Sequence, residues 1–269
     1  MSSQRTETVY GLHTVDALLR RQPERVLRVY LQRGRTDARA AQIEQLAGAA
    51  HKPVERVDAS RLQARLGAAV HQGVVADIVP MEPWQEAQLL EAVVGRADPL
   101  LLALDGVQDP HNLGACLRTA DACGVLALIV PRDRAAPLNA TARKSASGAA
   151  ETTPVVTVTN LARTLGLLKE AGLWTIGADA GAAQPAAGLD LRGPRVLVLG
   201  AEGHGLRALT RRHCDWLARL PNRGAVESLN VSVAAGMLLY EAVRQREEAP
   251  GAAALAEVPR ATRAADPAR

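Results

Sequence analysis

Leu100-Leu101-Leu102-Ala103-Leu104-Asp105-Gly106-Val107-Gln108-Asp109-Pro110-His111-Asn112-Leu113-Gly114-Ala115-Cys116-Leu117-Arg118 is the stretch that decides the fold. An unbroken apolar run stops at an acid and a glycine, the pattern of a parallel strand covered on both faces. A helical segment is expected from Leu113 to Cys123, and a second apolar run, Leu126–Val130, follows it. Further strands are expected at Val155–Val158, Trp174–Ala178 and Val196–Leu199, with helices at Leu161–Ala171, Leu206–Arg212 and Val231–Arg246. Alternation of this kind predicts an α/β domain, a parallel sheet with helices on both faces.

Upstream, the chain reads as a smaller α/β domain. Helices are expected at Val15–Arg21, with Thr14 as N-cap, at Ala38–Ala50 after Asp37, and at Ser60–Leu66; strands at Val26–Leu31, Val54–Val57 and Val74–Val79. Pro80 and Pro83 mark a linker, and Trp84–Arg96 reads as a bridging helix. The resulting division is a disordered 1–7, a domain over 8–79, a linker and helix over 80–98, a second domain over 99–246, and a disordered Ala-, Pro- and Arg-rich tail over 247–269.

Composition narrows the function. The net charge of +4 permits nucleic-acid binding without demonstrating it. Aromatic residues are 2% and Phe is absent, which disfavours an RNA-recognition sheet built on stacking aromatics. Cys116, Cys123 and Cys214 have no CxxC spacing, so neither a zinc site nor a disulfide framework is expected, and a reducing cytoplasm fits. Cys116 and Cys123 stand two turns apart on one helix face and read as small apolar groups. No export signal or membrane span is expected.

Three blocks place Gly, Asn, Ser or a carboxylate where a strand ends and a helix begins, the junction at which α/β proteins hold ligands. The first holds Asn112 and Arg118, read as lying on roughly one helix face. Alone, Asn112 reads equally as a cap and Arg118 as a solvated charge. The second, Gly200-Ala201-Glu202-Gly203-His204-Gly205, fails the dinucleotide fingerprint, and no Walker motif exists, so a nicotinamide enzyme is set aside. Its glycines imply a tight turn or close backbone approach, and Glu202 is a carboxylate beside a helix N-terminus. The third, Glu227-Ser228-Leu229-Asn230, opens the last long helix, and Ser or Asn there is also a good cap.

Together and in this order, the blocks resemble the three motifs of the SpoU/TrmH class of RNA 2′-O-methyltransferases, within the SPOUT superfamily. Tyr10-Gly11-Leu12-His13, Val70-His71-Gln72-Gly73-Val74, Leu138–Ala142, Ser147–Glu151 and Val158–Thr164 extend the likeness over roughly residues 8–246. They look like the bacterial branch that methylates a guanosine ribose in large-subunit (23S) ribosomal RNA. The resemblance implies an L30e-like RNA-binding N-terminal domain, a SPOUT domain with a C-terminal deep trefoil knot, and a homodimer. It implies S-adenosylmethionine as methyl donor, held by Leu199, Gly200, Leu220 and Leu229. It assigns catalysis to Asn112, Arg118, Glu202, Ser228 and Asn230. In the family the arginine is given the role of base. Because guanidinium stays protonated, Arg118 is better read as a clamp on the target phosphate that also stabilises developing alkoxide charge.

His13, Arg132, Arg134, Arg143 and Lys144 are candidate RNA contacts, on free ribosomal RNA or a precursor of the large subunit. Two positions depart from the branch: His204, often an acid, and Glu227, often small. The charge of His204 is expected to tune activity at about pH 6–7. The alternatives are the same chemistry on transfer RNA, which the N-terminal α/β domain argues against, and a ribosome-assembly factor without methyl transfer, which the intact motif residues argue against.

Overall fold

The computed structural model describes residues 6–67, 71–225 and 228–248. Expectations for residues 1–5, Val70, Glu227 and the tail from 249 onward lie outside these.

The N-terminal part runs β1 (Glu7–Tyr10), α1 (Leu12–Arg21), β2 (Val26–Gln32), α2 (Ala38–Ala49), β3 (Val54–Val57), α3 (Ala59–Leu66) and β4 (Val74–Ile78). Its four strands lie in the order β1-β4-β2-β3, with only β2 and β3 parallel. Val15, Leu18, Val29, Leu31 and Ile43 fill the core on one face; Leu62 of α3 covers Tyr30, Val57 and Val75 on the other. Two sequence expectations are corrected. Glu7 is not part of a disordered leader but the first residue of β1, paired with Ile78. Thr14 does not cap α1: Gly11 does, at φ 96, which lets the helix begin at Leu12. Asp37 caps α2 as expected, accepting from the Arg39 and Ala40 amides.

α4 (Glu86–Val93) bridges to the second sheet; it starts later than expected because Gln85 is its N-cap, in a capping box with Gln88 of the first turn, and it ends at Val93. Then follow β5 (Leu100–Asp105), α5 (Pro110–Ala122), β6 (Ala127–Pro131), α6 (Ala140–Ala146), β7 (Val155–Val158), α7 (Leu161–Glu170), β8 (Trp174–Ala178), β9 (Gln184–Pro185), β10 (Arg195–Gly200), α8 (Ala208–His213), β11 (Trp216–Arg219) and α9 (Val231–Glu247). Seven strands in the order β7-β6-β5-β10-β8-β11-β9 pair in parallel throughout. Side chains alternate across the sheet. Leu100, Leu102 and Leu104 of β5, with Leu197 and Leu199 of β10, face α5 and α9. Leu101, Ala103, Val196 and Val198 face α4 and α7.

From β5 the chain moves one way to β6 and β7, while β10 and β8 lie on the other side. This is the switch point at which open parallel sheets hold ligands beyond the carboxyl ends of their strands. Register completes the placement: Gly200 pairs with Asp105, so the loops after β10 and β5 leave the sheet side by side.

Candidate active site

Three motif residues meet at that edge. Glu202 Oε1 accepts from Asn230 Nδ2 at 2.6 Å, from Asn112 Nδ2 at 3.1 Å and from the Val231 amide at 3.2 Å. Asn230 Nδ2 also reaches Asn112 Oδ1 at 3.0 Å. Asn230 is the N-cap of α9, its Oδ1 accepting from the Ser232 and Val233 amides and from the Ser232 hydroxyl. Cap and site residue are thus one side chain: its oxygen ends the helix and its amide nitrogen holds Glu202. The carboxylate sits at the positive end of a seventeen-residue helix, where negative charge is favoured. Of the two cap candidates, Asn230 and not Ser228 fills the position.

Asn112 is not a helix cap. Asp109 caps α5, accepting from the His111 amide at 2.8 Å, with Pro110 at the first helical position. Asn112 and Arg118 do not share a face. Six residues at 3.6 per turn separate them by about 120° around the axis. Asn112 accordingly turns to the β10 loop, whereas exposed Arg118 donates to Ser147 Oγ at 3.2 Å, beyond α6. α6 comes this close because position 114 is glycine: a Cβ there would lie 2.3 Å from the Ala142 carbonyl oxygen.

A cleft of about 490 Å³, the size of small-molecule sites, opens beside the cluster. Leu199, Gly200, Leu220 and Leu229, the residues expected to hold the cofactor, all line it, and so do Glu202 and Ser228. Three leucines offer an apolar wall to an adenine, and the loop backbone from Ala201 to Gly205 offers polar groups, so the donor set fits S-adenosylmethionine. The reason for Gly200 is internal. A Cβ there would stand 1.9 Å from the Gly205 carbonyl carbon, because the loop folds back through an Ala201–Gly205 bridge.

Sequence reasoning missed what holds this loop. The Asp105 side chain, 0% exposed, accepts from the Arg207 amide at 2.9 Å and from Arg207 Nε at 2.5 Å, fastening the loop's far end to β5. Asp179, at the end of β8, pairs with Arg211 at 2.7 Å, and both line the cleft. The signal for Asp105 was present: an acid closing an apolar run has to find a cation. Burial, with the charge of Glu202 adding to it, pushes the Cys116 thiol up to about 12, and burial does the same to Cys214. Both therefore behave as small apolar groups.

The candidate RNA contacts divide. His13 is exposed on α1, Arg132 and Arg134 are exposed after β6, and Lys144 is exposed on the last turn of α6. Arg143 turns to Glu151 and lies 4.0 Å from Glu7. Among the described residues, no group of three His, Cys, Asp or Glu is arranged to hold a metal ion, and no helix is long and apolar enough to cross a membrane.

A parallel sheet with an apolar cleft and an Asn–Glu–Asn cluster at its carboxyl edge, preceded by a small α/β domain, has a known family. The chain belongs to the SpoU rRNA methylase family: the family model matches residues 99–240, and the RNA 2′-O ribose methyltransferase substrate-binding model matches residues 8–84. It is 56% identical over 242 residues to the 23S rRNA (guanosine-2′-O-)-methyltransferase RlmB of Pseudomonas aeruginosa, covering 89% of this chain and 97% of that one. To the protein of the same name from Escherichia coli it is 48% identical over 241 residues, covering 90% and 99%. The fold is that of the SpoU methyltransferase AviRb from Streptomyces viridochromogenes, solved in complex with AdoMet: the TM-score is 0.70 at 24% identity, over 90% of this chain and 91% of that one.

Proposed function

We propose that this chain methylates the ribose 2′-hydroxyl of a guanosine in 23S ribosomal RNA, using S-adenosylmethionine. The observation that carries the reading is the Asn112–Glu202–Asn230 cluster set against the apolar cleft. Identity of 56% to a 23S rRNA (guanosine-2′-O-)-methyltransferase over most of both chains supports the substrate class.

S-adenosylmethionine, when bound, supplies an electrophilic methyl group. The chain's own residues do the rest. Leu199, Leu220 and Leu229 wall the cleft and exclude water, and the loop backbone beside Gly200 supplies polar contacts. Glu202 spends its charge on the α9 N-terminus and the two asparagines, so it organises the loop rather than taking the substrate proton. Asn112 and Asn230 orient it, and Ser228, on the cleft wall, positions the ribose or the donor. Arg118 clamps the target phosphate with its free guanidinium donors and stabilises charge developing on the 2′-oxygen, whose proton leaves through water. Positioning of this kind is worth roughly 7–11 kcal/mol in favourable cases.

The same reading includes the C-terminal trefoil knot, a homodimer, a precursor of the large subunit as the working substrate, and a cytoplasmic location. Val233 and Tyr240, 51% and 67% exposed and seven residues apart on α9, give a dimer an apolar face to cover. A solution mass near twice 28.4 kDa is expected.

The test is methyl transfer from radiolabelled S-adenosylmethionine to unmodified 23S rRNA and unmodified tRNA in parallel, with Arg118→Ala as control. Label in the rRNA that the variant loses is the expected result. Label in tRNA alone moves the protein to the tRNA branch. Absence of label in free rRNA and in precursor particles, with cofactor and RNA still bound, points to an assembly factor without transferase activity.

A further inference from the structure

The turn Ser147–Thr153 joins two parts of the molecule that the sequence keeps far apart. On its inner side Ser147 Oγ holds Arg118 Nη1 at 3.2 Å. On its outer side it receives the N-terminal domain. Gly148 lies so close to α1 that a Cβ there would stand 2.9 Å from Thr14 Cα. Arg25, just before β2, donates to the Glu151 carbonyl at 2.5 Å and to its carboxylate at 3.3 Å, with the two side chains 12% and 5% exposed. Arg21 pairs with Asp121 at 2.5 Å, and the same Asp121 oxygen accepts from the Thr152 and Thr153 hydroxyls at 2.7 and 3.0 Å. Asp121 lies three residues beyond Arg118, on the same face of α5.

The kind of partner given to Arg118 is informative. Arg207, Arg211 and Arg25 are each held by a carboxylate. Among the described residues Arg118 is held by a hydroxyl, which fixes the direction of one N–H, brings no opposite charge and leaves the other donors for an anion. Ser147 is itself set in the left-handed region at φ 50, a conformation that persists only where its surroundings impose it. Those surroundings are α6 on one side and the Gly148–Thr14 and Glu151–Arg25 contacts on the other.

We infer that Ser147 is a positioning residue for Arg118, and that the Arg25–Glu151 pair sets the turn that carries it, so that seating the substrate-binding domain aims the guanidinium at the target phosphate. This rests on the reading of Arg118 as a phosphate clamp. The link runs through direct contacts: domain, turn, hydroxyl, guanidinium. It also gives the N-terminal domain a part in the chemical step besides holding RNA.

The test compares Ser147→Ala, Ser147→Gly and Arg25→Met, each made in the wild-type chain and in Arg118→Lys, which keeps the charge and lacks the bonded nitrogen. Single-turnover methyl transfer to unmodified 23S rRNA is measured at saturating substrate, beside KM for RNA and the calorimetric affinity for S-adenosylhomocysteine. Both Ser147 variants are expected to lower the single-turnover rate about tenfold, the scale of one hydrogen bond to a charged group, with cofactor affinity within twofold of wild type. Arg25→Met is expected to lower it less, and all three losses are expected to shrink in Arg118→Lys. Ser147→Gly relieves the backbone conformation while removing the hydroxyl, so full turnover in that variant overturns the inference. Equal fractional losses in both backgrounds also overturn it, since they mark a structural role. Wild-type turnover in Arg118→Lys and Arg118→Ala overturns the clamp itself, which a failure confined to the Ser147 variants does not.

Discussion

The two halves of the candidate site are built in opposite ways. Around Glu202, three donors converge on one carboxylate oxygen, two asparagines hold each other, and one of them also caps α9. Around Arg118 one hydrogen bond is made among the described residues, to a serine hydroxyl. The first is a network in which three donors share one carboxylate oxygen; the second is a charge held at one point. Polar groups held by several partners shape a site, whereas groups left with spare donors bind what comes to it. On the proposed reading, shape and chemistry are divided between two places on the same helix, α5.

The sharpest way to break this comparison is to remove Arg118. Arg118→Ala is expected to lower turnover by about 10²–10³-fold, the cost of one preorganised donor to developing charge, with melting temperature unchanged. A stability loss with intact turnover would invert the assignment. Glu202→Gln is expected to do less to turnover and more to the cleft, weakening S-adenosylhomocysteine affinity by about tenfold in calorimetry as the loop loses its ionic anchor. Asn230→Ala is expected to lose about 1 kcal/mol of helix capping, a shift of roughly 2–4 °C in a melting curve, together with some of the same affinity.

Smaller effects probe the edges of the site. Neutralising Arg132, Arg134 and Lys144 together is expected to lower the salt dependence of RNA binding by about two to three in log–log slope if each meets a phosphate; an unchanged slope would make them solvated surface. His204→Glu is expected to leave turnover at pH 8 within about twofold, and a large loss there would show the position to be specific. The buried thiols give the least effect. With Cys116 and Cys214 at about 12, only about one in 10⁴ is thiolate at pH 8, so alkylation of the native protein is slow and its rate rises about tenfold per pH unit towards 12. Rapid labelling of Cys116 at pH 8 would show α5 opening away from the Glu202 loop.

Much of the fold was legible, and the reasons differ by element. β5 reads from the chain because a strand buried on both faces must be apolar at every position. α6 does not: Ala140–Ala146 carries only Ala142 and Ala146 as buried residues and has no apolar stripe. It packs on α5 because Gly114 leaves room, a fact about the neighbour. β11 is short and mostly half-buried, so neither alternation nor an apolar run marks it. At the N-terminus of α5, Asp109-Pro110 is itself a cap signal, outweighed in the reading by an asparagine two residues further on.

The site was legible as a set of residue types and not as an arrangement. The sequence by itself determined two alternating α/β regions and the strand-to-helix junctions that carry Asn112, Glu202 and Asn230, because these follow from local burial and capping rules; Leu199, Gly200, Leu220 and Leu229 were marked only by the resemblance of the motifs to a family. Only the tertiary structure decided which of them meet. The register of β5 with β10 brings Asn112, Glu202 and Asn230 together. The pitch of α5 sends Arg118 elsewhere. Arg143, read as a candidate RNA contact, is turned to a buried Glu151 between the two domains. The pairings within the cluster join residues 28 to 118 positions apart, and no local rule fixes them; packing does, because a buried or concentrated charge must find its partner wherever the folded chain places one.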